Sequence, residues 1–261
     1  MKQFFYRLLI ELTNSRWSSM LIKKFAHSKI STKVIPSFSK VYQINLGEAK
    51  ESVESFSNLH EFFVRKLKSG VRAIHNKHNG VISPVDAVIE DIGKIKKDKT
   101  ITVKGKIYSI EEMLDKDDTI GDYEDGTYLI FYLSPSDYHR IHSPVAGEIV
   151  KQWTAGEKSY PVNKYGLKYG KNPLSKNYRT ISEVKTNSSH NVAVVKVGAM
   201  FINSIILSHQ QNMVDMGEEI AYFSFGSTVI LLFEKDAFQL REDIKAPFQV
   251  KMGELIGELK S

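Results

Sequence analysis

The chain has 261 residues, 42% hydrophobic and 25% charged, with 36 Lys+Arg against 30 Asp+Glu. That is the profile of a folded globular protein of one large or two small domains, not of a disordered chain. The absence of cysteine excludes disulfides, thiolate-held zinc, iron–sulfur clusters and thiol catalysis, and fits a reducing compartment. The net charge of +6 is local. Residues 1–30 carry Lys2, Arg7, Arg16, Lys23, Lys24 and Lys29 against Glu11, so the other 231 residues hold only +1. A near-neutral body is not the footprint of a nucleic-acid-binding protein.

The first thirty residues place Phe5, Leu8, Leu9 and Leu12, then Trp17, Met20, Leu21 and Phe25, at helical spacing with a break near Thr13–Ser15. The pattern predicts two short amphipathic helices. Glu11 and Asn14 interrupt any signal-peptide core, and no apolar run reaches the length of a membrane span. Two readings stay open here: the stripes dock on the protein core, or they rest on anionic lipid as interfacial helices. Phe56–Lys68 (FSNLHEFFVRKLK) predicts a helix capped by Ser57 or Asn58. After residue 80 the texture changes to short β-type runs: Val85–Ile95, Thr100–Lys104, Tyr128–Leu133, Gly147–Trp153, Val192–Val197, Ile220–Phe225, Thr228–Phe233 and Phe248–Lys251. One helix is predicted at Ser109–Leu114, and the polar stretch Lys158–Asn187 as a long surface excursion. The heptapeptide Ser83-Pro84-Val85-Asp86-Ala87-Val88-Ile89 is echoed by Ser143-Pro144-Val145-Ala146-Gly147-Glu148-Ile149. The expected fold is therefore α+β: a mostly antiparallel β core, barrel- or sandwich-like, with a duplicated hairpin unit in prospect and N-terminal amphipathic helices. The expected division is a helical, membrane-associating region 1–78 and a β-rich catalytic domain 79–261.

Three features carry chemistry. His139 and His142 lie in Ser134–Pro144 (SPSDYHRIHSP), directly after an apolar strand, where a rigid scaffold presents reactive groups to a loop. Their spacing alone allows a structural pair, a zinc-binding pair or, more attractively, paired acid–base groups. Asp86, at the start of a β run, is a turn residue or the partner of an imidazole. Gly226-Ser227-Thr228 interrupts two apolar β runs, which marks a hairpin turn or a bend that sets a serine in buried structure. The triplet is not a G-x-S-x-G elbow, because Phe225 and Val229 flank it.

Together these sites resemble the phosphatidylserine decarboxylases, which make a pyruvoyl cofactor from their own chain. Phe62–Arg65 (FFVR), Arg72-Ala73-Ile74, Ser83–Asp86, Val103–Lys106 with Tyr108-Ser109, Tyr132–Pro144, Pro161-Val162-Asn163, Val197–Met200 and Gly217–Glu234 match that family's elements in order. Ala87, Phe225 and Asn203 depart from its usual residues, and none removes a reactive group.

The resemblance implies a proenzyme. Ser227 attacks the carbonyl of Gly226, the amide becomes an ester, and elimination cuts the chain into a β chain 1–226 and an α chain 227–261 headed by pyruvoyl. Asp86, His142 and Ser227 are the implied triad, with Asp86 holding the imidazole of His142. The pyruvoyl group (pyruvate derived from Ser227) forms a Schiff base with phosphatidylserine and releases CO2 and phosphatidylethanolamine. His139 is implied in carboxylate contact or proton delivery. No metal is implied. The implied setting is the cytoplasmic side of an anionic cell membrane, with the α and β chains held as a heterodimer and paired heterodimers as a further assembly. A serine hydrolase using the same three residues, and a non-catalytic membrane-binding module, are the competing expectations.

Overall fold

The computed structural model describes residues 16–115, 123–163, 167, 171–199, 205–224 and 227–260, with the side chains of its first helix given from Met20. The predicted first amphipathic helix lies outside the described residues. Helix α1 (Arg16–Ala26) is the predicted second one. Of its stripe, Met20 is 60% exposed, Leu21 68% and Phe25 42%, so these residues do not dock on the core. The 3-10 turn Lys29–Val34 leads into α2 (Ile35–Tyr42). Helix α3 (Leu59–Phe63) starts at the predicted cap: Asn58 accepts from the Glu61 amide at 2.9 Å, while the Ser57 amide donates to the Glu61 carboxylate at 2.9 Å. It ends at Phe63 and not at Lys68, because the chain turns out to form a β-bridge between Ala49 and Leu67. Ile35, Phe38, Phe56, Phe62 and Phe63 form a small core of their own beneath these helices.

Sixteen strands follow among the described residues: β1 (Gly80–Ile82), β2 (Ala87–Lys94), β3 (Thr100–Val103), β4 (Lys106–Ser109), β5 (Thr127–Leu133), β6 (Arg140–His142), β7 (Gly147–Ala155), β8 (Arg179–Thr186), β9 (Asn191–Gly198), β10 (Ile205–Leu207), β11 (Met213–Val214), β12 (Glu219–Phe223), β13 (Ser227–Phe233), β14 (Phe238–Leu240), β15 (Phe248–Val250) and β16 (Leu255–Leu259). Helix α4 (Ile110–Met113) is capped by Ser109, and α5 (Pro173–Lys176) lies within the predicted excursion. All eight predicted runs are strands. An open eight-stranded antiparallel sheet runs β11-β7-β8-β9-β13-β5-β2-β15; it does not close into a barrel. Two three-stranded sheets, β1-β16-β14 and β6-β12-β10, complete the larger core on the face lined by Val192, Val194, Val229 and Leu231.

The heptapeptide echo is one limb of a larger duplication. In order, β1, β2, β5, β13, β14, β15 and β16 occupy the same positions as β6, β7, β8, β9, β10, β11 and β12. The hydrogen bonds repeat as well. Ser83 Oγ donates to Val85 O at 2.7 Å and Ser143 Oγ to Val145 O at 2.6 Å. Across the copies, His142 N donates to Pro84 O at 2.9 Å and Ile82 N to Pro144 O at 3.0 Å. Gly217 and Gly253 occupy matching left-handed turns, φ 84° and 90°, which only glycine enters without strain. Ile74 lies against both of them. The second copy (140–223) is thus inserted into the first, between β5 and β13.

The excursion Lys158–Asn187 was expected on the surface, yet it contains β8, a central strand. Its sequence, RTISEVKT, lacks apolar alternation because buried Arg179, Ser182 and Glu183 find polar partners within the protein. Arg179 donates to Met113 O and Glu112 O at 2.6 Å each, and Glu183 accepts from Tyr123 Oη at 2.7 Å. Lys196 on β9 is wholly buried, with Ser182 Oγ at 2.7 Å and Val194 O at 3.3 Å. Burial lowers its pKa from 10.5 to about 7. The unfolded chain therefore holds a proton through this window that the folded chain has released, so stability rises with pH from about 7 to 10.5, at no more than about 1.4 kcal/mol per pH unit. Chemical denaturation in a Ser227→Ala background, chosen to keep the chain whole, should show that rise, and adding Lys196→Met should flatten it. Equal slopes in the two proteins would acquit Lys196.

Candidate active site

Ser227 is the first residue of β13 and pairs with Leu133 of β5 on one side and Gly198 of β9 on the other. The hydroxyls of Ser227 and Thr228 are buried and have no hydrogen-bond partner among the described residues. Buried polar atoms are rarely left so, and an orphaned nucleophile at a strand start is a functional signal. Phe225 and Gly226, the other half of the predicted cleavage site, lie outside the described residues.

The duplication explains why the histidines come to this serine. Two segments connect the copies: 134–139 leaves β5 for β6, and 224–226 leaves β12 for β13. At one end Leu133 pairs with Ser227; at the other Arg140 pairs with Tyr222, and Phe223 N donates to His139 O at 2.9 Å. The two connections therefore leave and enter neighbouring strands at both ends. The chain changes sheet between Phe223 of β12 and Ser227 of β13; the predicted bend at Gly226 lies outside the described residues.

His142 Nδ1 lies 2.8 Å from Gly217 O, and its Nε2 lies 3.3 Å from Tyr138 Oη. His139 Nδ1 lies 2.9 Å from Asp137 O, and its Nε2 is buried without a partner. A carbonyl only accepts, so in both rings the proton sits on Nδ1; the Nε2 lone pair of His139 is unoccupied, and that of His142 accepts from Tyr138 Oη. Burial lowers both pKa values, that of His139 to about 3, which keeps both rings neutral at physiological pH. Among the described residues no group of three or more His, Asp or Glu side chains is arranged to hold a metal.

Asp86 differs from its expected placement. Its buried carboxylate accepts from Arg72 Nε at 2.9 Å and Nη2 at 2.5 Å, from Met252 N at 2.9 Å and from Lys251 Nζ at 3.4 Å. Burial alone would raise its pKa; Arg72, Lys251 and the Met252 amide outweigh that and hold it below the usual carboxylate range. The orienting bond on His142 comes from the Gly217 carbonyl, and Asp86 reaches both histidines only through its field, which favours their protonated forms.

Sequence reasoning left several members of the site without a role. Phe63 packs on the His139 ring, centroids 4.0 Å apart. Arg65 Nη2 donates to Ser136 O at 2.9 Å and Asp137 O at 3.4 Å, and Arg140 Nε donates to Val64 O at 3.1 Å. The FFVR motif was visible; that it seats the histidine turn was not, because its acceptors are backbone carbonyls, which leave no mark in a sequence.

A sequence profile of phosphatidylserine decarboxylase matches residues 59–258. A curated phosphatidylserine decarboxylase proenzyme from Geobacillus sp. is 56% identical over 260 residues, covering 100% of both chains. One from Anoxybacillus flavithermus is 57% identical over 259 residues, covering 99% of this chain and 97% of the relative. One from Bacillus cereus is 50% identical over 256 residues, covering 98% and 97%.

The Arg72–Asp86 contact is a buried pair, and removing one partner strands the other charge. Arg72→Met should cost about 3–5 kcal/mol at pH 7 in chemical denaturation. It should also abolish the part of the stability that wild type loses when acid protonates Asp86. A loss below about 1 kcal/mol, the range of an exposed pair, would show that Arg72 is not what stabilises the carboxylate.

Proposed function

Because this chain belongs to the phosphatidylserine decarboxylase family, we propose that it is made as one chain, cuts itself between Gly226 and Ser227, and then decarboxylates phosphatidylserine to phosphatidylethanolamine. One observation carries this reading beyond the family likeness: the unpartnered, buried Ser227 hydroxyl on β13, opposite Leu133, the last residue before the segment that carries His139.

In self-cleavage, Ser227 Oγ adds to the Gly226 carbonyl carbon and passes its proton to Nε2 of His142. His142 returns that proton to the departing amide nitrogen as the C–N bond breaks, leaving an ester. Loss of the Ser227 Cα proton and cleavage of the Cβ–Oγ bond free the Gly226 carboxylate and leave dehydroalanine. Water then replaces its nitrogen, which departs as ammonia, and residue 227 becomes pyruvoyl. Gly217 O fixes the tautomer that makes Nε2 the base, and the negative charge of Asp86 favours the imidazolium formed.

The pyruvoyl carbonyl supplies an electron sink for loss of CO2. Its surroundings suit the group: the orphaned hydroxyl of Thr228 and the free Nε2 of His139 are both buried. In the second reaction His139 would carry the proton. Burial disfavours its imidazolium while the site is empty; an anionic headgroup beside it offsets that cost, so the ring would take up a proton with substrate and deliver it to the carbon that loses CO2.

Helix α1 is the proposed membrane contact within a helical region 1–78. Met20, Leu21, Phe25 and Ile30 are exposed among Lys23, Lys24, Lys29 and Lys33, a pattern that suits an anionic bilayer, here on its cytoplasmic side. No described helix is long and apolar enough to cross a membrane. The His27 and His60 rings stack at 4.0 Å, which ties the segment after α1 to α3, and Phe63 of α3 touches His139.

Intact-mass spectrometry of the purified protein should show chains 1–226 and 227–261, the latter blocked by pyruvoyl and leaving its partner only under denaturant. Ser227→Ala and His142→Ala should stay whole, whereas His139→Ala should cleave and decarboxylate poorly. One uncleaved wild-type mass would overturn the proposal; labelling of that intact chain by a serine-reactive phosphonate would indicate a hydrolase instead.

A further inference from the structure

Arg65 is a buried cation that the reactions above do not use. It is 5% exposed, and among the described residues no carboxylate lies within ion-pair distance of it. Its hydrogen bonds go to backbone oxygens: Ser136 O and Asp137 O from Nη2, and Phe62 O from Nη1 at 3.5 Å. A guanidinium is an expensive group to bury for that purpose alone.

The turn it grips does not need it in order to close. Asp137 N donates to Ser134 O at 3.0 Å, and Asp137 Oδ2 accepts from Ser134 N at 2.7 Å. What Arg65 adds is a donor to the carbonyl that also accepts from His139 Nδ1. Two donors then converge on Asp137 O, one from α3's end and one from the imidazole, while Phe63 covers the ring face. A carbonyl fixed in this way can only accept, which holds the His139 proton on Nδ1 and leaves Nε2 free.

We infer that Arg65 is a positioning residue for the decarboxylation step: it fixes the Asp137 carbonyl, and through it the tautomer and direction of the His139 ring. Its charge acts in the same sense, because Arg65 disfavours the protonated ring. Asp86 opposes it there, while Asp86, Asp137, Glu48 and Arg72 set the field around Arg65 itself. The inference rests on the role proposed for His139, and its test separates the two.

The experiment uses the full chain as wild type, Arg65→Met, Arg65→Lys, His139→Ala and His139→Gln. Cleavage is read by intact mass, kcat and KM on mixed vesicles containing phosphatidylserine, and the tautomer by 15N shifts of histidine-labelled protein, with His139 assigned from its loss in His139→Gln. Arg65→Met should still cleave. Its kcat should fall about 10- to 100-fold, within the range of a lost acid–base contribution, with KM little changed, and its His139 signals should move toward an Nε2–H mixture. Arg65→Lys, which retains one charged donor, should recover part of both. An unchanged His139 tautomer in Arg65→Met overturns the inference; should that variant not fold, an unchanged tautomer together with a full kcat loss in Arg65→Lys does the same. Full decarboxylation by His139→Ala would instead refute the role given to His139, and the tautomer readout would still decide what Arg65 does.

Discussion

Everything about this protein depends on how β13 is held. All seven of its residues are buried, and each is paired on both sides, with β5 and with β9. Burying Val229, Ile230, Leu231, Leu232 and Phe233 stabilises the strand by roughly 8–15 kcal/mol as an upper estimate, before its hydrogen bonds are counted. A chain cut just before Ser227 therefore keeps its new N-terminus at the centre of the sheet. The proposed chemistry needs this: a ketone made from residue 227 is useful only if cleavage leaves it in place.

The same strand marks the seam of the duplication. Where β9 follows β8 through the short turn 187–190, the first copy instead carries the whole second copy between β5 and β13. That insertion produces two crossovers where an uninterrupted copy has one tight turn. One crossover holds His139, with His142 on the strand it enters, and the other leads to Ser227. The site is thus a consequence of topology: two connections leave and enter the same neighbouring strands, β5 beside β13 and β6 beside β12.

The sequence carried much of this in its apolar runs. Each of the eight predicted strands exists, because a strand buried on both faces, such as TVILLF, has few other readings. The strands it hid fall into two kinds. Seven are pieces of two to five residues, such as β6 and β10, too short for any pattern to register. The eighth, β8, is polar because its partners are other buried polar groups, a fact about tertiary structure. The second limb of the repeat was present as Met216-Gly217-Glu218 and Met252-Gly253-Glu254; matched to the Ser-Pro-Val echo, it would have shown that whole halves, not hairpins, are duplicated. The resemblance gathered Asp86, His139, His142 and Ser227 into one site; the structure sets Ser227 opposite Leu133, from which the chain runs on to His139 and β6. It could not show that Gly217 O, not Asp86, holds the His142 ring, since one carbonyl is like another in a sequence.

Both proposed reactions call for groups that ordinary folding would satisfy. Serinolysis needs a serine hydroxyl free to move, and proton delivery needs an imidazole nitrogen with its lone pair unoccupied. The fold keeps Ser227 Oγ and His139 Nε2 in that condition by fixing everything around them. Ser227's backbone is held from two sides, His139's carbonyl is held by Phe223 N, its Nδ1 by Asp137 O and its ring face by Phe63. An unpaired buried polar atom costs about 1–3 kcal/mol, and two of them fall well within what β13 alone contributes. Stability concentrated in one strand is thereby converted into reactivity at its first residue.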